Sequence, residues 1–164
     1  MKRASSRSAV AWAYQATGAE LGRPYFLALP AQVYEDAGQT EAGLDVLADG
    51  LSMAGNTRER YYEAELHRLQ GELLLHRPGG SADPEAAEAC FHRAIAIARQ
   101  QGGKSLELRA ALSLARLWEN KDKAEAALQT MAWLHASFTE GFDTADWQQA
   151  KALLDAAQPS GQQD

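Results

Sequence analysis

Apolar residues recur along this chain at three- and four-residue intervals rather than at every second position, which is the period of amphipathic α-helices. Leu44, Leu47 and Leu51 follow it, as do Ala87, Phe91 and Ala94, and later Ala127, Met131 and Leu134. Each of these stretches comes after another helical one, so the pattern predicts antiparallel helix pairs. In the first member of each pair a small residue stands three positions before a large one: Ala31 before Tyr34, Gly71 before Leu74, Ala115 before Trp118. Small residues there let two helices approach closely, and Phe91 is expected to fill the seam beside Gly71. The stretch from Leu106 to Trp118 is apolar nearly all round and is expected to lie between neighbours.

Pro, Gly and Ser punctuate these stretches. Pro78-Gly79-Gly80-Ser81 makes an exposed loop, after which Asp83 is the expected N-cap and Pro84 the first helical residue. A tight turn is expected at Asn120 to Asp122, before a helix from Ala124 to Phe138. Gly141 is expected to end that helix and Asp143 to cap the next, with Phe142 and Trp147 as a hydrophobic staple. Ala150, Leu153 and Leu154 then mark a terminal helix that covers an open end. Near the start, Pro30 in a helix interior costs on the order of 3 kcal/mol, so a bend is expected between Leu27 and Pro30. Gly43 and Gly50 add to that, making the first unit, Ala19 to Gly55, the least rigid. Ala9 to Thr17 is a lone helical stretch, the second half of a pair whose first half is missing. Residues 1–8 and 158–164 are polar and expected to be disordered, leaving residues 9–157 as one helical domain.

Gly71 in a first helix and Ala87-x-x-x-Phe91 in a second resemble the tetratricopeptide repeat. The resemblance implies an all-α fold: a right-handed α-α superhelix of about three hairpins, preceded by a half-repeat and closed by a capping helix. The inward small residues recur at intervals of 40 and 44 residues, longer than the ~34 of a standard unit, because the first helices start early and the Pro78 loop adds length. Pro30 and Gln70 also stand where the pattern wants a large apolar residue. Three further stretches, Thr17 to Tyr25, Glu63 to Leu69 and Phe138 to Asp146, together resemble the C-terminal repeat region of large bacterial signalling proteins. In those, a class III adenylate/guanylate cyclase or DNA-binding domain precedes an ATPase module and then the repeats. The resemblance implies a regulatory, partner-sensing arm without catalysis of its own.

Charge and composition narrow the partners. The 164 residues carry a net charge of −6, which argues against nucleic acid as the main ligand. No apolar run approaches the ~18 residues that span a bilayer, and the apolar stretch near the start is too short for a signal peptide, so a cytoplasmic protein is expected. One cysteine, Cys90, excludes an internal disulfide. A protein or peptide is the expected partner, with no nucleic acid and no membrane. Self-association is a further expectation, since the N-terminal half-repeat leaves an apolar face uncovered.

The candidate chemistry is sparse. None of the four histidines forms a His-x-x-x-His pair, and with one Cys no zinc site is expected. Glu63 and His67, like Glu88 and His92, lie four apart and read first as surface helical pairs; a small hydrolase built on a Glu–His pair is the alternative. Cys90 reads as a small buried or half-buried hydrophobe, and Trp12, Trp118, Trp133 and Trp147 as core rather than a stacking platform for bases or sugars. No Gly-rich Lys-Ser/Thr phosphate loop and no cofactor site is expected. The sharper candidate is the groove lined by the first helices. The residues one position after Ala31, Gly71 and Ala115, with those on the neighbouring turns of the same face, are Gln32, Glu35, Arg68, Glu72, Arg109, Arg116 and Glu119. Arg68 and Glu72 are spaced to pair within a helix, and Arg109 and Arg116 are spaced to hold a carboxylate or phosphate by forked hydrogen bonds.

Overall fold

The computed structural model describes residues 34, 38–57, 60–77, 81–118 and 123–157, and among them it is all-helical, with no strand. Six α-helices follow in order: α1 Thr40–Thr57, α2 Glu63–Leu75, α3 Pro84–Gln101, α4 Lys104–Trp118, α5 Ala124–Ala136 and α6 Ala145–Ala157, with a 3₁₀ turn at Arg60–Tyr62 before α2. The substantial helix contacts join neighbours in sequence, from α1–α2 to α5–α6. They also join α2 to α4 and α4 to α6, placing alternate helices side by side.

Local chemistry sets several of these boundaries. The Asp83 carboxylate accepts a hydrogen bond from the Ala86 N–H at 3.0 Å and Pro84 opens α3, as the sequence predicts. Gly102, at φ 69°, ends the same helix in the left-handed conformation that costs glycine least, and Gly103 turns the chain directly into α4. The segment between α5 and α6 departs from expectation. α5 ends at Ala136, where the Ser137 hydroxyl donates to the Leu134 carbonyl, so Gly141 lies in the connecting segment rather than at the helix end. α6 begins at Ala145, and the Gln148 N–H donates to the Thr144 carbonyl; Thr144, not Asp143, holds the capping position. The Phe142 and Trp147 rings do meet, edge to face at 5.2 Å, but with Thr144 as the cap they stand one position away from the expected staple.

The core follows the predicted faces. Ala87, Phe91 and Ala94 are fully buried on α3, and Ala127, Met131 and Leu134 are buried on α5. Leu108, Ala110 to Ala115 and Trp118 are buried on α4, which lies between α3, α5 and the alternate helices α2 and α6. Leu47 of α1 meets Leu66, Leu69 and Leu73 of α2 in a separate cluster. At Gly71 the α2 backbone comes so near that a Cβ would stand 2.5 Å from the Phe91 ring. Gly43 does the same between α1 and α2, where a Cβ would lie 2.8 Å from a Leu73 methyl. It therefore serves a close approach instead of merely weakening its helix.

Trp133 is a correction to the expectation of four core tryptophans: it is 65% exposed, while Trp118 is buried and Trp147 half-buried. It follows Met131 by two residues and so points away from the face that α5 buries. Several expectations fall outside the described residues: the half-repeat Ala9–Thr17, Trp12, the Pro30 bend, Ala31, the turn at Asn120–Asp122, both termini, and the groove candidates Gln32, Glu35 and Glu119.

Replacing glycine by alanine in a helix ordinarily stabilises by roughly 1 kcal/mol. At Gly71 the sign should reverse, because the Phe91 ring is fully buried and has nowhere to move. Gly71→Ala is expected to lose about 1–3 kcal/mol of unfolding free energy. Gly43→Ala is expected to lose less, because its nearest contact is the end of one flexible side chain, Leu73, rather than a rigid ring, although Leu73 is itself buried and the Tyr34 Cβ stands 3.1 Å away. Urea denaturation of the two variants checks the order; equal losses would contradict it.

Candidate functional site

Helices α2, α4 and α6 each turn one polar stripe toward a shared cavity of about 250 Å³, lined by Glu65, Arg68, Arg109, Leu112, Ser113, Arg116, Asp146 and Gln149. Helical spacing explains the stripe. Arg109, Ser113 and Arg116 stand at four- and three-residue steps on α4, and Asp146 and Gln149 one turn apart on α6. Of the residues expected at the groove, Arg68, Arg109 and Arg116 line this cavity. Glu72 borders it through the Ser113 hydroxyl, which donates to its carboxylate at 2.6 Å.

The polar groups form a ladder across the three helices. Arg68 donates through Nε and Nη2 to Glu65 at 3.0 and 2.9 Å and through Nη1 to Glu72 at 3.1 Å, completing the pairing expected within α2. Arg109 reaches both ways. Its Nη1 donates to Glu65 at 3.3 Å, and its Nε and Nη2 donate to Asp146 Oδ2 at 2.9 and 2.7 Å. Burial works against the Arg109 charge, but Asp146 and Glu65 outweigh it and raise the guanidinium above its ordinary pKa. Arg116 donates from Nη2 to the Gln149 amide oxygen at 2.8 Å. Three arginines thus face three carboxylates, Glu65, Glu72 and Asp146.

The forked hydrogen bonds expected of Arg109 are present, but the carboxylate they hold belongs to the chain itself. Arg116 is the cluster's most exposed cation, and its partner here is a neutral amide. Sequence reasoning missed Glu65, Ser113, Asp146 and Gln149. Glu65 and Ser113 carry a spacing signal, three before Arg68 and four after Arg109. The α6 pair carries none until it is known which helix seats against α4.

The remaining candidates do not share a cleft. Glu63 is held by Arg60 at 2.8 Å, which lowers its pKa, and the half-buried His67 is lowered by desolvation. Glu88 is drawn down by Lys123 of the α4–α5 corner, and His92 lies 3.9 Å from it. Burial, assisted by the Asp83 charge, raises the half-buried Cys90 thiol, as befits a packed residue rather than a nucleophile. Gly103-Lys104-Ser105 opens α4 but follows a helix, not a strand, and Lys104 Nζ donates to the Ser137 carbonyl; this is not the setting of a phosphate loop. A larger cavity of about 540 Å³ lies there, between Gly102 and Gly141, without a converging set of charged groups. Among the described residues no cluster of His, Cys, Asp and Glu could hold a metal ion, and no helix is long and apolar enough to cross a membrane.

No model of a known protein family matches the chain, and no solved structure matches it. Over 100 residues it is 32% identical to an uncharacterized protein of Rhizobium meliloti (strain 1021), a stretch that is 61% of this chain and 9% of that protein. The chain therefore spans less than a tenth of this relative's length.

Folded His67 titrates below its ordinary value, and Glu63 and Glu88 titrate below theirs. Each group binds more protons when the chain unfolds, so acid favours the unfolded state. Stability is expected to be complete above about pH 6.5, to fall first as unfolded His67 takes a proton, and to fall again below about pH 4.5 as the carboxylates do. His67→Gln should flatten the upper step and leave the lower one. Thermal midpoints of both chains between pH 7 and 4 check this, and an unchanged upper step in the variant would refute it.

Proposed function

We propose that this chain is a non-catalytic helical-repeat domain of the tetratricopeptide kind that binds a protein or peptide in the groove lined by α2, α4 and α6. The observation that carries the reading is the ladder. Alternate helices lie side by side and present arginines and carboxylates along one face, the arrangement by which stacked hairpins make an extended concave surface. The close approach at Gly71 and Phe91, with Ala87 and Ala94 buried beside it, supports assignment of α2 and α3 to one hairpin of that type.

In this reading the domain is an arm of a larger bacterial signalling protein, of the kind that joins a cyclase or DNA-binding domain to an ATPase, and it works in the cytoplasm. The small share of the Rhizobium relative that the chain covers supports the view that such a segment occurs within a longer polypeptide. Arg116 takes the leading role at the groove, since its charge is not neutralised by a carboxylate of the cluster. Self-association through residues 9–17 is a separate element of the reading.

Panning a displayed random-peptide library against the folded chain, then titrating the enriched peptides, tests the groove. Arg116→Ala is expected to weaken their binding about tenfold, the worth of one charge-assisted hydrogen bond of ~1.5 kcal/mol. Peptides that bind the variant as tightly as the parent would remove the groove from the reading. Sedimentation at rising concentration addresses the assembly, and a monomer at every concentration would eliminate self-association.

A further inference from the structure

One side of the ladder comes from α6. α6 offers Asp146 to Arg109 and Gln149 to Arg116, the two arginines spaced to receive a partner. Its other attachments are slight. Ala150 is the one fully buried residue of α6, with Trp147, Leu153 and Leu154 half-buried against α4 and α5. In this seat the Trp147 ring stacks on His135 of α5 at 4.2 Å. Trp147 Nε1 and His135 Nε2 are both buried there without a hydrogen-bond partner among the described residues. Departure of α6 would let both meet water, so the seated position carries an unfavourable term that the α2–α4 pairing does not. The segment Ser137–Thr144, with Gly141 at φ 75°, joins α6 to α5 outside either helix.

We propose that α6 is a displaceable wall of the groove, and that the external partner is an amphipathic acidic helix that takes its place against Arg109 and Arg116. Charge selects this partner. With α6 seated, three arginines balance three carboxylates. With α6 and its Asp146 removed, Arg68, Arg109 and Arg116 face Glu65 and Glu72, leaving one positive charge in excess for an incoming carboxylate. Shape agrees, because withdrawal of α6 also bares the apolar surface of Ala115 and Leu128, which asks for an apolar stripe on the occupant. The proposal rests on the reading that this face binds a protein or peptide, and it adds the partner's chemistry and the competitor.

The probe is a fluorescent synthetic peptide spanning residues 142–157, which carries the proposed occupant's own contacts, titrated onto the full chain. The full chain with Asp146→Asn is expected to bind it about tenfold more tightly than the parent, because its internal competitor is weakened. Arg109→Gln added to that variant should abolish the gain. Hydrogen exchange on the unmodified chain supplies a measurement that needs no variant: α6 amides should exchange at least tenfold faster than those of α2 and α3. Equal peptide affinity for the two chains, or α6 protection equal to that of α3, overturns the proposal. That failure is distinct from failure of the groove itself, because library peptides that depend on Arg116 could still bind beside a fixed α6.

Discussion

The contact between the α2 backbone at Gly71 and the ring of Phe91 sets the spacing on which the rest of the structure depends. With no Cβ on α2 at that point, α3 approaches until the ring is fully enclosed. α4 then packs against α3, and its distance from α2 is fixed by the same ring. This brings the polar stripes of α2 and α4 near enough for Arg109 to reach Glu65 and for Ser113 to reach Glu72. A longer α2–α3 separation would leave both carboxylates without partners on the next helix. The groove chemistry is thus a consequence of one missing methyl group in the core.

Periodicity made the packing legible and the polar pairing only half so. The faces Ala87–Phe91–Ala94 and Ala127–Met131–Leu134 are buried as their spacing required, because a helix has one geometry and the apolar stripe reports which side faces inward. The same counting placed Arg68, Arg109 and Arg116 on one cavity. It did not place Asp146, which lies 37 residues from Arg109 and meets it only because α6 folds back beside α4. Loop chemistry misled at Gly141. Its left-handed conformation is real, but it turns the connecting segment rather than closing a helix that Ser137 had already ended. Trp133 shows the limit of reading an aromatic as core: two residues' rotation past Met131 leads to solvent.

The charge pattern of the groove bears on selectivity more than on strength. The Arg68 pairs with Glu65 and Glu72 are largely buried and must offset their own desolvation, while the more exposed Arg109 pairs contribute on the order of 0.2–1 kcal/mol each, so the ladder is weak evidence for stability. It does fix where positive and negative charges sit along the face, and that decides which sequences can approach. Arg68 pairs its charge with Glu65 and Glu72 within α2 and also touches Ser113 of α4; Arg109 is shared; among the described residues Arg116 meets an amide, Gln149. The available positive charge therefore grows toward the α6 end of the groove.

That gradient gives the terminal helix two roles that oppose each other. α6 shields the apolar flank of α4 and α5, which favours its seat through the burial of Ala150 and the half-burial of Trp147, Leu153 and Leu154. Against this stand the nitrogens of His135 and Trp147, which have no hydrogen-bond partner among the described residues, each costing roughly 1–3 kcal/mol when buried without one. A purely structural cap would be under no constraint to keep polar atoms there, and leucine or phenylalanine at both positions would hold the seam without that cost. Retaining an imidazole and an indole, together with an aspartate aimed into an arginine fork, leaves α6 less firmly held than the helix pair at Gly71. A helix seated in this way resists solvent but yields to a competitor that brings the same carboxylate without the buried nitrogens.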